Sequence, residues 1–225
     1  MNGKPYPRPS DWVPFTILDE DTCSAACVAY LDWTTNDRKG EQKLGPRAAY
    51  VTEGFNKASI NQKTLKLNWP GGYSSCGALG VSELYTIGHR GKYINRTTEP
   101  GYRNGWNLIW LEEHPAFEHG PIAQKLPPGT HVYIGNKQVN SSLHGICVVE
   151  HRPEDNYLAI AQYGQNIGVG IDGVFTEYHA FDGKTVGAKK KPVIGHLQPW
   201  KALQWAEENG CRDSEVWVPP TVVVP

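Results

Sequence analysis

A cysteine at the start of a helical pattern is the first residue of this chain that suggests chemistry. Cys76 follows the turn Pro70–Gly72, and a helical pattern then continues through Leu84 and stops at Gly88. Unpaired N–H groups and the dipole at a helix N-terminus stabilise a thiolate. We therefore expect Cys76 to be a nucleophile whose own backbone N–H holds an oxyanion.

A nucleophilic cysteine needs a base and a group that orients the base. His144 opens a strand-like run, and we expect it to be that base. On the predicted strand Tyr157–Tyr163, alternation places Gln162 on the same face as Ile160. The amide oxygen of Gln162 can accept a hydrogen bond from an imidazole N–H, so Gln162 is the expected third residue. Asn166, in the turn just beyond, is the alternative.

Two residues beside Cys76 are candidates for binding the substrate. Gly77 has no side chain, so a substrate can approach the backbone closely there. Tyr73 lies three residues before the cysteine, where its hydroxyl would donate to the oxyanion or its ring would pack in the core.

The other four cysteines are weaker candidates for the nucleophile. Cys23 also begins a predicted helix, but the acidic run Asp19–Asp21 precedes it, and negative charge opposes a thiolate. Cys27 and Cys147 have the positions of core residues, and Cys211 is expected to be exposed or structural.

The spacing of the histidines does not favour a metal site. His114 and His119 are five residues apart, so one helical face cannot present both, and Pro115 interrupts the turn between them. The sequence contains neither an HExxH pattern nor a compact His/Cys cluster. We therefore expect neither a metal ion nor a cofactor.

Three separated motifs within residues 70–166 resemble the NlpC-like and CHAP-like families of papain-like cysteine peptidases and amidases. They are the helix start Ser75–Leu79, the segment Leu126–Val132 and the strand His144–Val149. The order of the motifs matches, although Ser75 and Thr130 stand where these families have acidic residues. The resemblance implies a papain-like fold and cleavage of an amide bond through a thioester. The expected substrates are peptidoglycan stem peptides or their amide link to the glycan.

The composition limits the classes of function. The 225 residues include 22 Lys plus Arg and 23 Asp plus Glu, so no excess of positive charge is present to neutralise nucleic-acid phosphates. No window is long and apolar enough for a membrane span. The N-terminal residues lack the apolar region of a signal peptide. We expect synthesis in a cytoplasm, as for a phage lysin or an effector exported by a dedicated machine. The alternative is a binding or structural protein, such as a virion component, with the same fold.

The periodicity predicts a single α+β domain over residues 1–225. Its core is expected at about 16–210, with extended Pro-rich arms at 1–15 and 211–225. N-terminal helices should pack on a small antiparallel sheet, as in the papain-like fold. Helices are expected from an Asp21-Thr22 cap to about Trp33, from near Cys76 to Gly88, and over Pro199–Asn209. Strands are expected at Thr130–Ile134, Gly145–Glu150, Tyr157–Tyr163, Gly173–Tyr178 and Pro192–Leu197.

Overall fold

A computed structural model describes residues 9–35, 60–61, 66–67, 77–90, 111–136, 144–164 and 173–220. Three α-helices and eleven strands lie in these ranges. The helices are α1 (Glu20–Thr35), α2 (Ala78–Thr86) and α3 (Pro199–Glu208). The strands are β1 (Val13–Phe15), β2 (Ile60–Asn61), β3 (Lys66–Leu67), β4 (Glu118–His119), β5 (His131–Ile134), β6 (His144–Arg152), β7 (Tyr157–Gly164), β8 (Gly173–Ala180), β9 (Thr185–Val186), β10 (Lys191–Leu197) and β11 (Val216–Val218). The predicted α+β class is confirmed.

A seven-stranded antiparallel sheet is the centre of the described structure. Its strands follow the order β4-β10-β5-β6-β7-β8, and β9 also pairs with β10. The central register places His131 opposite Cys147 and Cys147 opposite Ala161. The strands are rich in β-branched and aromatic residues that alternate between the two faces, which is the pattern that stabilises a sheet buried on both sides.

The two faces of this sheet have separate apolar cores. On one face, Tyr133 packs with residues of all three helices, among them Cys27, Leu84 and Leu203. On the other face, strand residues such as Ile146 and Ile160 pack with residues of the loops and of β9. We call these the helix face and the loop face. Side chains of neighbouring positions on a strand therefore enter different environments.

Local sequence signals explain where the helices begin and end. α1 begins with a reciprocal cap: the backbone N–H of Thr22 donates to Asp19 Oδ1 at 2.9 Å, and the Asp19 N–H donates to Thr22 Oγ1 at 3.0 Å. The cap therefore lies at Asp19, before the predicted Asp21-Thr22. α2 stops before Gly88, whose φ of 102° a residue with a side chain rarely adopts.

The described parts of the two predicted arms pair with each other. Strand β1 is antiparallel to β11, with Val13 opposite Val218 and Phe15 opposite Val216. Val216 and Val218 are buried in the core of the helix face. Strands β1 and β11 thus pack beside the helices of their own chain. None of the helices in the described part of the chain is long and apolar enough to cross a bilayer.

Candidate active site

His144 and Gln162 meet on the loop face of the sheet. His144 is the first residue of β6, and Gln162 lies on the neighbouring strand β7. Because Ala161 stands opposite Cys147, alternation turns both His144 and Gln162 to the face opposite to that of Cys147. The imidazole Nε2–H of His144 donates to Oε1 of Gln162. The structure therefore brings together two of the three residues expected to carry the chemistry.

An open cavity of about 470 Å³ lies over this pair. Apolar strand residues, including Ile146 and Ile160, form its floor, and Glu177, His179 and two lysines form part of its wall. His179 Nε2 lies 3.1 Å from a carboxylate oxygen of Glu177. A cavity of this size is within the range that small ligands and peptide side chains occupy. The pair is thus placed where a bound molecule can reach it.

The remaining expected site residues lie outside the described residues, with one exception. Cys76, Tyr73 and Asn166 are not among the described residues. Gly77, which follows Cys76 in the sequence, is described: it is buried and is the residue before the first turn of α2. The sequence expectation that a helix starts just after Cys76 is therefore met by Ala78–Thr86.

Helix α2 packs on the helix face of the sheet, whereas His144 and Gln162 face the other way. The contact is made by Glu83 of α2, whose Oε2 lies 2.8 Å from Nε2 of His131. His131 stands opposite Cys147 in the register, so both project from the helix face. If Cys76 and His144 react together, the Cys76 thiol must reach the start of β6, because His144 is the first residue of that strand.

A second group of chemically versatile side chains is enclosed between α2 and the sheet. Donor atoms of Glu83, His131 and Cys147 all lie within 4.8 Å of one another. The thiol of Cys27, on α1, also contacts the Glu83 carboxylate. The Glu83 and His131 side chains are 0% and 3% exposed, so water has almost no access to the group. Sequence spacing gave no sign of it, because its members lie on four different elements.

Burial controls the ionisation of this group. It raises the pKa of the Cys27 and Cys147 thiols, and the nearby Glu83 carboxylate raises them further. Burial also raises the pKa of Glu83, and its hydrogen bond with His131 acts in the opposite direction. Neither thiol is therefore activated as a nucleophile. Cys23, the main rival to Cys76 in the sequence, is likewise buried at 1% exposure.

No protein family, curated protein or solved structure matches this chain.

Proposed function

We propose that the protein is a papain-like, cysteine-dependent amide hydrolase with Cys76 as nucleophile, His144 as base and Gln162 as the orienting residue. The observation that carries the proposal is the contact between His144 Nε2 and Gln162 Oε1. An amide oxygen only accepts hydrogen bonds, so Nε2 must carry the imidazole proton. In the neutral ring, Nδ1 is then the nitrogen that takes the thiol proton.

The proposed reaction has two stages. The Cys76 thiolate attacks the carbonyl carbon of the amide, and His144 passes its proton to the leaving amine, which gives a thioester. A water molecule, deprotonated by His144, then attacks the thioester and releases the acid. The backbone N–H of Cys76 and the hydroxyl of Tyr73 would hold the oxyanion in both stages, and Gly77 would leave room for the substrate.

Peptidoglycan stem peptides, or their amide link to the glycan, are the proposed substrates, because the three motifs resemble families that cleave them. The cavity beside His144 and Gln162 supports a bound peptide, since its apolar floor and polar wall suit a short chain with mixed side chains. The proposal includes export by a dedicated machine or release as a phage lysin, the routes expected from the sequence.

The alternative is a binding or structural protein that uses the same cavity without cleaving a bond. One observation favours it: α2, which follows Cys76, packs on the sheet face opposite to His144. In this alternative, His144 and Gln162 would form a polar pair that contacts the ligand. No thiol activation is then required.

Release of new amino groups from purified peptidoglycan separates the two functions. Cys76→Ser should abolish release, and His144→Ala should lower its rate by roughly 10²-fold or more because the base is lost. Cys211→Ser and His119→Ala are matched controls, since Cys211 lies outside the proposed site and His119 is exposed. Equal release by the parent and all four variants would contradict the Cys76–His144 mechanism, and no release by the parent would favour the binding protein.

A second comparison tests the orienting residue. Gln162→Ala should lower kcat with little loss of fold stability, because Gln162 fixes the imidazole without filling the core. Asn166→Ala should have a much smaller effect on kcat. The reverse order would transfer the orienting role to Asn166, and two inert variants would leave a Cys76–His144 dyad.

A further inference from the structure

The enclosed group between α2 and the sheet has the donor chemistry of a metal centre. Glu83 supplies a carboxylate oxygen, His131 an imidazole nitrogen and Cys147 a sulfur, and these atoms lie within 4.8 Å of one another. Nitrogen and sulfur donors together with a carboxylate form a set that zinc binds in a tetrahedron.

Polar atoms of this group lack hydrogen-bond partners among the described residues. Oε1 of Glu83 and Nδ1 of His131 are both buried without one. A buried carboxylate oxygen without a partner is costly, because it has lost its water and gained no donor. The two thiols beside it are weak donors and compensate only in part. A bound cation would supply the interaction that Glu83 Oε1 lacks.

Two glycines allow the side chains to approach one another. A Cβ on Gly129 would lie 2.6 Å from Cys27 Sγ and 2.8 Å from Glu83 Oε1. A Cβ on Gly80 would lie 2.6 Å from Nδ1 of the His131 ring. Any side chain at either position would push the donors apart. The backbone is therefore shaped to hold the four side chains in one small volume.

Charge balance selects the ligand set. A site closed to water strongly disfavours a net charge, so the charges of the ion and its ligands should cancel. A divalent cation is neutralised by one carboxylate and one thiolate, with the imidazole neutral. Glu83, Cys147 and His131 meet this condition.

We propose that Glu83, His131 and Cys147 form a structural zinc site that fastens α2 to the central sheet. On binding, the zinc ion displaces one proton from the Cys147 thiol and one from the pair formed by Glu83 and His131, and both protons pass to solvent. The metal stays closed off from substrate, because all of its ligands are buried. Its role is to stabilise the fold.

Cobalt substitution in a Cys76→Ser background tests the site without interference from the proposed nucleophile. The protein is unfolded with a chelator, refolded, and titrated with Co²⁺ alone. We expect about one Co²⁺ per chain, with a thiolate-to-cobalt charge-transfer band and the visible spectrum of a tetrahedral ion. Adding Cys147→Ser should remove the charge-transfer band, whereas the matched Cys211→Ser should retain it.

If Cys147→Ser fails to fold, the Tm of the Cys76→Ser protein with and without zinc still tests the proposal. Its Tm should rise by several degrees when the refolded protein is saturated with zinc, because zinc binds only the folded state. No cobalt spectrum together with an unchanged Tm would overturn the proposal, as would a charge-transfer band that survives Cys147→Ser. Amide hydrolysis is not measured, so this result is independent of the proposed function.

Discussion

Two buried histidines should make the fold sensitive to acid. Nε2 of His89 and Nε2 of His114 are 2.9 Å apart. The His89 ring stacks on the Trp205 ring, and the His114 ring meets the Trp205 ring edge-on. The Ala116 N–H donates to Nδ1 of His114 at 3.1 Å. His114 therefore carries its proton on Nε2 and donates it to His89. A further proton on either ring has to break one of these two hydrogen bonds.

The magnitude follows from the pKa values. Burial lowers the pKa of His89 to about 4, and burial with the charges of neighbouring histidines lowers the pKa of His114 to about 3. In the unfolded chain both rings titrate near ~6.5. Between these values the unfolded state binds more protons, so stability falls as the pH falls. From about pH 7.5 to about pH 5, each histidine should cost ~2 kcal/mol, or ~4 kcal/mol together.

Urea unfolding at the two pH values, followed by tryptophan fluorescence, measures this loss. His89→Gln keeps a polar atom near His114 but does not titrate, so it should lose ~2 kcal/mol less than the parent over the same pH interval. The exposed His119→Gln is the matched control and should follow the parent. Equal losses of the free energy of unfolding in the parent and in His89→Gln between the two pH values would refute the role of these histidines.

Three further substitutions test the packing around the sheet, each by urea unfolding at neutral pH. Gly129→Ala should lower the free energy of unfolding by ~2–4 kcal/mol, because φ is +84° and the new Cβ would lie 2.5 Å from that of Cys27; a loss below ~0.5 kcal/mol would contradict the close approach. Leu203→Ala, at a fully buried position of α3, should cost ~2–5 kcal/mol through the cavity it leaves, and a neutral variant would show that the helix does not anchor the core. Lys201→Ala removes a half-exposed ion pair with Glu118 and should cost less than ~1 kcal/mol; a larger loss would mean that the pair is better shielded than its exposure indicates.

The strands were the part of the fold that the sequence predicted best. Tyr157–Tyr163 and Pro192–Leu197 differ from β7 and β10 by one residue at an end, because β-branched and aromatic alternation is a local signal. Proline at the start of α3 and Gly210 beyond its end predicted that helix over Pro199–Asn209, within one residue of the observed Pro199–Glu208. The predicted cap of α1 at Asp21-Thr22 lies two residues later than the observed cap at Asp19, because Asp19 and Asp21 are equally good caps in sequence. Only the side-chain bond to Thr22 distinguishes them.

The candidate site was predictable only where it depends on alternation. The face of Gln162 follows from strand period, and its contact with His144 follows once the two strands are neighbours. The groups around Glu83 and His114 were missed, because their partners lie on other elements. His114 contacts His89, which is 25 residues away, and Glu83 contacts His131, which is 48 residues away. No short motif encodes such pairs. A signal exists for Glu83, because it is the charged residue of α2, whose other residues carry no charge.

The reactivity of Cys76 tests the central proposal most directly. Iodoacetamide at mildly acidic pH, with the labelled peptides identified by mass spectrometry, ranks all five thiols in one experiment. The proposed function predicts that Cys76 is labelled first, that its labelling is slower in His144→Ala, and that labelling removes peptidoglycan cleavage. Slow and uniform labelling of the five thiols, unchanged by His144→Ala, would contradict a Cys76–His144 active site. First labelling of Cys23 would move the nucleophile to α1.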